Sequence, residues 1–134
     1  MNRRILLATF GALMAEFKAL NAQPATPDRS PIFQQDLPNV SVRDWSVTAV
    51  EVHYAPGESS TAHRHPGITF AYVLEGEITS KLDNEPEKRY APGEMWMETP
   101  GQLHAVSRNA SSVKPARLLA ILLAEKGKPL TMPA

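Results

Sequence analysis

The chain has 134 residues, enough for one domain with a hydrophobic core of its own. Its 14 Lys+Arg balance 14 Asp+Glu, so charge gives no reason to expect nucleic acid or an anionic membrane as a partner. There is no cysteine, which excludes disulfides and thiol catalysis and leaves the redox compartment unread.

The first element is apolar. Arg3 and Arg4 precede the run Ile5 to Ala15, and a basic start before a short apolar stretch has the shape of a secretory signal. The run is too short to span a bilayer as a helix. Glu16 and Lys18 fall before the small-residue stretch, and the best cleavage site, Leu20-Asn21-Ala22, lacks a small first residue. An amphipathic helix that stays attached is the competing reading. Residues 1–22 are thus expected to be a signal peptide that sends a bacterial protein to the periplasm or outside; without cleavage the protein would be cytoplasmic. Residues 23–39, rich in Pro, Ala and polar residues, read as a linker and N-terminal arm, and 40–134 as the folded domain.

From residue 40 onward the pattern has a period of two. In Val47–Tyr54, Val50, Val52 and Tyr54 share one face, and Glu51 and His53 the other. Ile68–Leu74 is a second strand, rich in β-branched and aromatic residues. A Glu-Gly-Glu turn leads to Ile78–Leu82, and Lys88–Tyr90 returns. Met95–Thr99 follows Pro92-Gly93, and His104–Asn109 follows Pro100-Gly101. Arg117–Ala124 is an apolar run whose short length and neighbours favour a strand over a helix. Twelve prolines and seven glycines punctuate these segments, which predicts an all-β sandwich or barrel.

His63 and His65 flank one arginine. Side chains two apart on a strand point to the same face, so both imidazoles can reach one ion at about 2.0–2.2 Å. Neutral imidazole suits first-row transition metals such as Fe, Mn, Ni or Zn. Alone, a His-x-His pair is more often exposed surface than a metal pair. His104 opens another strand of the same expected sheet and offers a third ligand. His53 lies opposite the apolar face of its strand and reads as solvated, and Arg64, between the two histidines, as surface.

These residues resemble the two sequence motifs of the cupin family. The first is a Gly, five residues, His-x-His, three or four residues, Glu, six residues and Gly; Gly57, His63, His65 and Gly76 fall in register. The second is a Gly, five residues, Pro-x-Gly, two residues, His, three residues and Asn; Gly93, Gly101 and His104 fit, while Pro100 and Asn109 are each displaced by one. The resemblance covers residues 47–124, with a short inter-motif stretch as in microbial members. It implies a cupin jelly-roll β-barrel with one divalent transition metal (Fe, Mn, Ni or Zn) on His63, His65 and His104. The family's glutamate ligand would fall at 69, where this chain has Thr69. The chain is similar in this to cupin dioxygenases with three histidines and no carboxylate, among them the thiol dioxygenases and acetylacetone dioxygenase.

Several neighbours of this expected site bear on the chemistry. Glu98, on the strand before the turn that delivers His104, is a general base or water-orienting carboxylate if it faces the barrel. Trp96 would then form a pocket wall; the competing reading puts Met95 and Met97 inside and Glu98 in solvent. Gln102, in the turn beside His104, is placed to hydrogen-bond a ligand or simply to be exposed. Arg108 shares strand parity with His104 and Val106, which would set it near the rim against a substrate carboxylate. Thr69, Ala71 and Val73 are expected on the metal side, and the large apolar Phe70, Tyr72 and Leu74 on the other. A strand apolar on both faces is covered on both, by the N-terminal segment or by a second subunit in a homodimer. The function expected from all this is a dioxygenase-like oxidoreductase acting on a small carbonyl, enol or phenolic compound, a lyase or isomerase being compatible. The alternative is a non-catalytic module that binds a metal or small ligand.

Overall fold

The computed structural model describes residues 24–134; the signal segment expected at 1–22 lies outside them. Among the described residues there is no helix, and therefore none long and apolar enough to cross a membrane. Ten strands run β1 Trp45–Tyr54, β2 Ser59–Ser60, β3 His63–Arg64, β4 Ile68–Glu75, β5 Ile78–Leu82, β6 Lys88–Tyr90, β7 Met95–Glu98, β8 Leu103–Asn109, β9 Ala116–Glu125 and β10 Met132–Pro133. They form two antiparallel sheets, one ordered β1-β9-β4-β7 and the other β10-β3-β8-β5-β6, with β2 also pairing to β8.

The seven strands expected from periodicity are all present, and Arg117–Ala124 lies within strand β9. Its alternate residues explain why. Leu118, Leu122 and Ala124 are buried on the inner face, while Leu119, Ile121 and Leu123 form an apolar outer face. A segment apolar on both sides has no polar stripe to place toward water as a helix would, and it pairs with β1 and β4 at the sheet centre. β2, β3 and β10 carry too few residues for any period to show.

The sheets close on a core of Tyr54, Ala71, Val73, Ile78, Tyr90, Trp96, Ala116 and Leu118. Tyr54 brings a hydroxyl into that core and satisfies it with Ser60 at 2.6 Å and Ser107 at 2.9 Å. Two close approaches require glycine. A Cβ on Gly67 would lie 1.7 Å from the Leu123 carbonyl oxygen, and one on Gly76 would lie 2.5 Å from that of Pro115. Gly67 thus lets the chain leaving His65 slip under β9 as it enters β4.

The outer face of the first sheet carries Phe70, Tyr72, Leu119 and Ile121, all half-buried. Part of its cover is the N-terminal arm, since the Phe33 ring meets Phe70 edge-on at 6.4 Å.

Candidate metal centre

β3 and β8 pair with His63 directly opposite His104. His65 follows immediately, and its carbonyl accepts a hydrogen bond from the Gly101 amide at 2.8 Å. Arg64 turns away from the histidines, and its guanidinium donates to the Gly101 carbonyl at 2.7 Å. The two histidine-bearing segments are therefore clamped together at the Pro-Gly turn. Ligand-capable atoms of His63, His65 and His104 all lie within 4.8 Å of one another.

Each ring is aimed by a partner on its far side. His63 Nδ1 is 2.7 Å from the Thr61 carbonyl, and His65 Nδ1 is 2.7 Å from the Leu130 carbonyl. A carbonyl only accepts, so each Nδ1 holds the proton and each Nε2 keeps its lone pair for the cavity. His104 is reversed. Its Nε2 bonds the Ser80 hydroxyl at 2.8 Å, and its buried Nδ1 has no hydrogen-bond partner. Burial lowers the His63 pKa; the Thr61 carbonyl opposes the shift, and nearby His104 and His65 reinforce it. The neutral form that a metal requires is favoured.

Glu98 points inward and is 2% exposed, while Met97 is buried on the opposite face of β7. Its Oε1 accepts from the Trp96 indole at 3.0 Å and lies 3.1 Å from His104 Nδ1. Its Oε2 lies 3.6 Å from His65 Nε2 and accepts no hydrogen bond. Burial alone would raise the carboxyl's pKa. His104 first, then Trp96 and His65, outweigh that and hold it below 4.5, so the group is a carboxylate at neutral pH.

The centre sits in the wall of a cavity of about 860 Å³, within the range of small-molecule sites. Val50, Val52, Leu118, Ala120 and Leu122 make an apolar wall, and no Lys or Arg is in the lining. Among the described residues, three buried side-chain polar atoms lack a hydrogen-bond partner: Thr69 Oγ1, Glu98 Oε2 and His104 Nδ1. All three residues line this cavity. Folded proteins pair nearly all such atoms, so this concentration fits a site that receives a ligand. Convergent imidazoles beside a carboxylate fit a divalent transition metal.

Two expected neighbours lie elsewhere. Arg108 is not in the cavity lining; its guanidinium forms a two-pronged pair with Glu87 at 3.0 and 3.2 Å on the surface. The parity argument fails at a β-bulge. Lys81 pairs with Val106 and Leu82 with His104, so Ala105 is an extra residue that swaps the faces beyond it. Ser107 therefore faces in with His104, and Arg108 faces out. The same bulge accounts for the displaced asparagine, because Asn109 regains the inner face, 4% exposed. Its amide donates to the Ala55 and Lys114 carbonyls, pinning two loops. Gln102 is also outside the lining, with its amide spent on the Thr99 backbone at 3.0 Å and Asp83 at 2.9 Å. His53 is exposed against Glu51 at 3.0 Å.

Residues that sequence reasoning passed over complete the site. Ser80, which holds His104 from behind the cavity wall, had a signal, since it shares inward parity with Ile78 and Leu82 on β5. The segment Leu130–Ala134, which lines the cavity and anchors His65, had none.

Comparison with known proteins agrees with this architecture. A family model described as "Cupin domain" matches residues 50–122. No curated protein matches the chain. Among solved structures it resembles the DMSP lyase DddQ from Ruegeria pomeroyi at 21% identity and TM-score 0.58, covering 66% of this chain and 43% of that one. An uncharacterized conserved protein with a double-stranded β-helix domain from Klebsiella pneumoniae is similar at 21% identity and TM-score 0.55, covering 66% of this chain and 75% of that one. A deletion mutant of Bacillus subtilis oxalate decarboxylase is similar at 18% identity and TM-score 0.54, covering 65% of this chain and 23% of that one. The chain thus spans less than half the length of the lyase and the decarboxylase, and at these identities the likeness speaks for the fold. The family match takes in more than half of the chain and both histidine-bearing segments, and the chain belongs to the cupin family.

Proposed function

We propose that this protein is a metal-dependent, dioxygenase-like oxidoreductase acting on a small carbonyl, enol or phenolic compound. The observation that carries the reading is the convergence of three imidazoles, one of them with a buried unpartnered nitrogen, on the polar wall of an otherwise apolar cavity. Three neutral ligands on one side would leave positions for a chelating substrate or dioxygen, as catalytic metals need. The apolar wall suits a compact carbon skeleton. With no Lys or Arg lining the cavity, the substrate is neutral or singly charged, and the metal itself is the group that attracts an enolate. Glu98 stands beside the reacting position as the cavity's carboxylate.

Thr69 at the family's glutamate position favours a second reading, a module that binds a metal or small ligand without turnover. The barrel also occurs in proteins named as a lyase and a decarboxylase, so the fold does not choose the reaction.

Elemental analysis of freshly purified protein tests the common ground. We expect about one divalent metal per chain, lost in His104→Ala. No metal in the wild type, and none taken up from Fe, Mn, Ni or Zn, rejects the enzyme reading and the metal-binding form of the second. Oxygen uptake by the metal-loaded protein with diketones and catechols then separates enzyme from binder. Bound zinc would count against oxygen chemistry, because it has no redox states to use.

The proposal extends to a homodimer through the outer face of Phe70, Tyr72, Leu119 and Ile121, which a light-scattering mass of one chain would reject. It also extends to export to the periplasm on the N-terminal signal, which recovery of the full-length chain from the cytoplasmic fraction would reject.

A further inference from the structure

The family's carboxylate ligand is absent from position 69, yet a carboxylate stands beside it. Thr69 on β4 and Glu98 on β7 are directly opposed partners in antiparallel pairing, and both line the cavity. Opposed residues on one sheet face carry their Cβ atoms about 4.5–5.5 Å apart. A glutamate on either strand can therefore deliver its carboxylate to the same region. The Thr69 side chain is too short to place a ligand where a glutamate would, and Glu98 is the carboxylate in the same lining.

We propose that Glu98 is the fourth protein ligand of the metal, the family's carboxylate having been moved across the sheet from position 69 to its partner on β7. This rests on the three-histidine reading of the site and deepens it.

The geometry supports a ligand over a remote base. Two donors bound at about 2.1 Å and separated by 90–110° at the ion lie about 3.0–3.4 Å apart. Glu98 Oε1 is 3.1 Å from His104 Nδ1, and Oε2 is 3.6 Å from His65 Nε2, close to that edge length. The Trp96 indole fixes Oε1 and leaves Oε2 without a partner, which is how a metal-binding carboxylate is oriented by its surroundings. Of the three unpartnered buried atoms, Glu98 Oε2 and His104 Nδ1 would both be satisfied by one ion. Charge argues the same way. A divalent ion on three neutral imidazoles in a cavity without other charged lining is costly to bury, and a coordinated carboxylate halves the net charge. A His3Glu set leaves two positions of an octahedron, which matches a substrate that chelates through two oxygens.

The test is metal affinity, measured by chelator competition with Mn2+, Ni2+ and Zn2+ on the full chain. The variants are Glu98→Gln, Glu98→Thr, the exchange Thr69→Glu/Glu98→Thr and, as reference, His104→Ala. We expect Glu98→Gln to weaken binding by about 100-fold or more, beyond what loss of an orienting partner costs. The exchange variant should recover binding to within about tenfold of wild type, because a carboxylate returns to the same region from the family's own position. A positioning role through Trp96 and His104 would not be rescued from position 69. Glu98→Gln binding within threefold of wild type, or an exchange no better than Glu98→Thr alone, overturns the proposal while wild-type binding and its loss in His104→Ala keep the three-histidine site. Failure of the wild type to bind any of the three metals overturns the site itself. Should the Glu98 variants not fold, the wild type labelled with 13C-glutamate decides: a shifted carboxylate stretching band on metal loading supports ligation, and an unchanged one overturns it.

Discussion

Gly67→Ala should be among the most damaging single-methyl additions to this protein. The new Cβ would sit 1.7 Å from the Leu123 carbonyl oxygen and 2.7 Å from its carbon, both backbone atoms of the central strand β9. An ordinary carbon–oxygen contact is about 3.3 Å, so roughly 1.5 Å of separation must be found between β4 and β9. No side chain can rotate to supply it. The pair Ile68↔Leu123 must open, with a loss of about 1 kcal/mol for each of roughly two hydrogen bonds. Strain in the packed core beneath adds about 1–3 kcal/mol. The sum is about 3–5 kcal/mol, a large share of the roughly 5–15 kcal/mol that holds a typical domain. At about 4 °C per kcal/mol the midpoint should fall by about 12–20 °C. Thermal and denaturant unfolding of metal-free protein, followed by circular dichroism, measures this without ligand linkage. Gly57→Ala is the control. Gly57 has φ +73° with nothing within 4 Å of an added Cβ, so only the left-handed backbone penalty of about 1–2 kcal/mol applies. If Gly67→Ala loses no more stability than Gly57→Ala, the close approach of β9 is not what demands glycine there.

Other outcomes follow from particular contacts. Ser80→Ala removes the partner of His104 Nε2 and should weaken metal binding by about 10–100-fold in chelator competition, with little change in the circular dichroism spectrum. Arg108→Ala should leave metal content and substrate kinetics unchanged and shift stability by less than about 1 kcal/mol, since the side chain faces out against Glu87; a raised KM would return it to the site. The Arg117 guanidinium, first by its hydrogen bond and then by its charge, holds the Glu51 carboxyl below 4.5 against the opposing effect of burial, with His53 assisting. A carboxyl depressed in the folded state stabilises above its unfolded pKa and loses that contribution as pH falls through the folded value. The midpoint difference between wild type and Glu51→Gln should therefore be present near neutrality and close between about pH 5 and pH 3.

Much of this fold was legible because its strands are long enough to show alternation. Val50, Val52 and Tyr54 read as inward-facing, and they are in the cavity lining. The spacing of His63, His65 and His104 was legible because two of them share a strand face and the third follows a Pro-Gly turn. Arg108 was misplaced because parity counts assume an unbroken ladder, and one extra residue at Ala105 reverses every later face. Nothing local announces that bulge; it is a property of the pairing with β5. Gln102 looked free because its partner Asp83 is nineteen residues away in sequence. The orientation of Glu98 was left even between two readings, and the pairing with Thr69 decides it. The Pro66-Gly67 pair reads only as a turn, whereas the stricter demand for glycine comes from a strand more than fifty residues later.

The bond from His65 to the Leu130 carbonyl spans 65 residues. β10 then pairs with β3, and Met132, Pro133 and Ala134 form part of the cavity wall. The ring that a metal would meet is thus aimed by a carbonyl synthesised well after it. A ribosome-bound chain that has exposed all three histidines still lacks the acceptor that orients His65. An ion that needs His65 aimed would therefore be captured only after the Leu130 segment has docked.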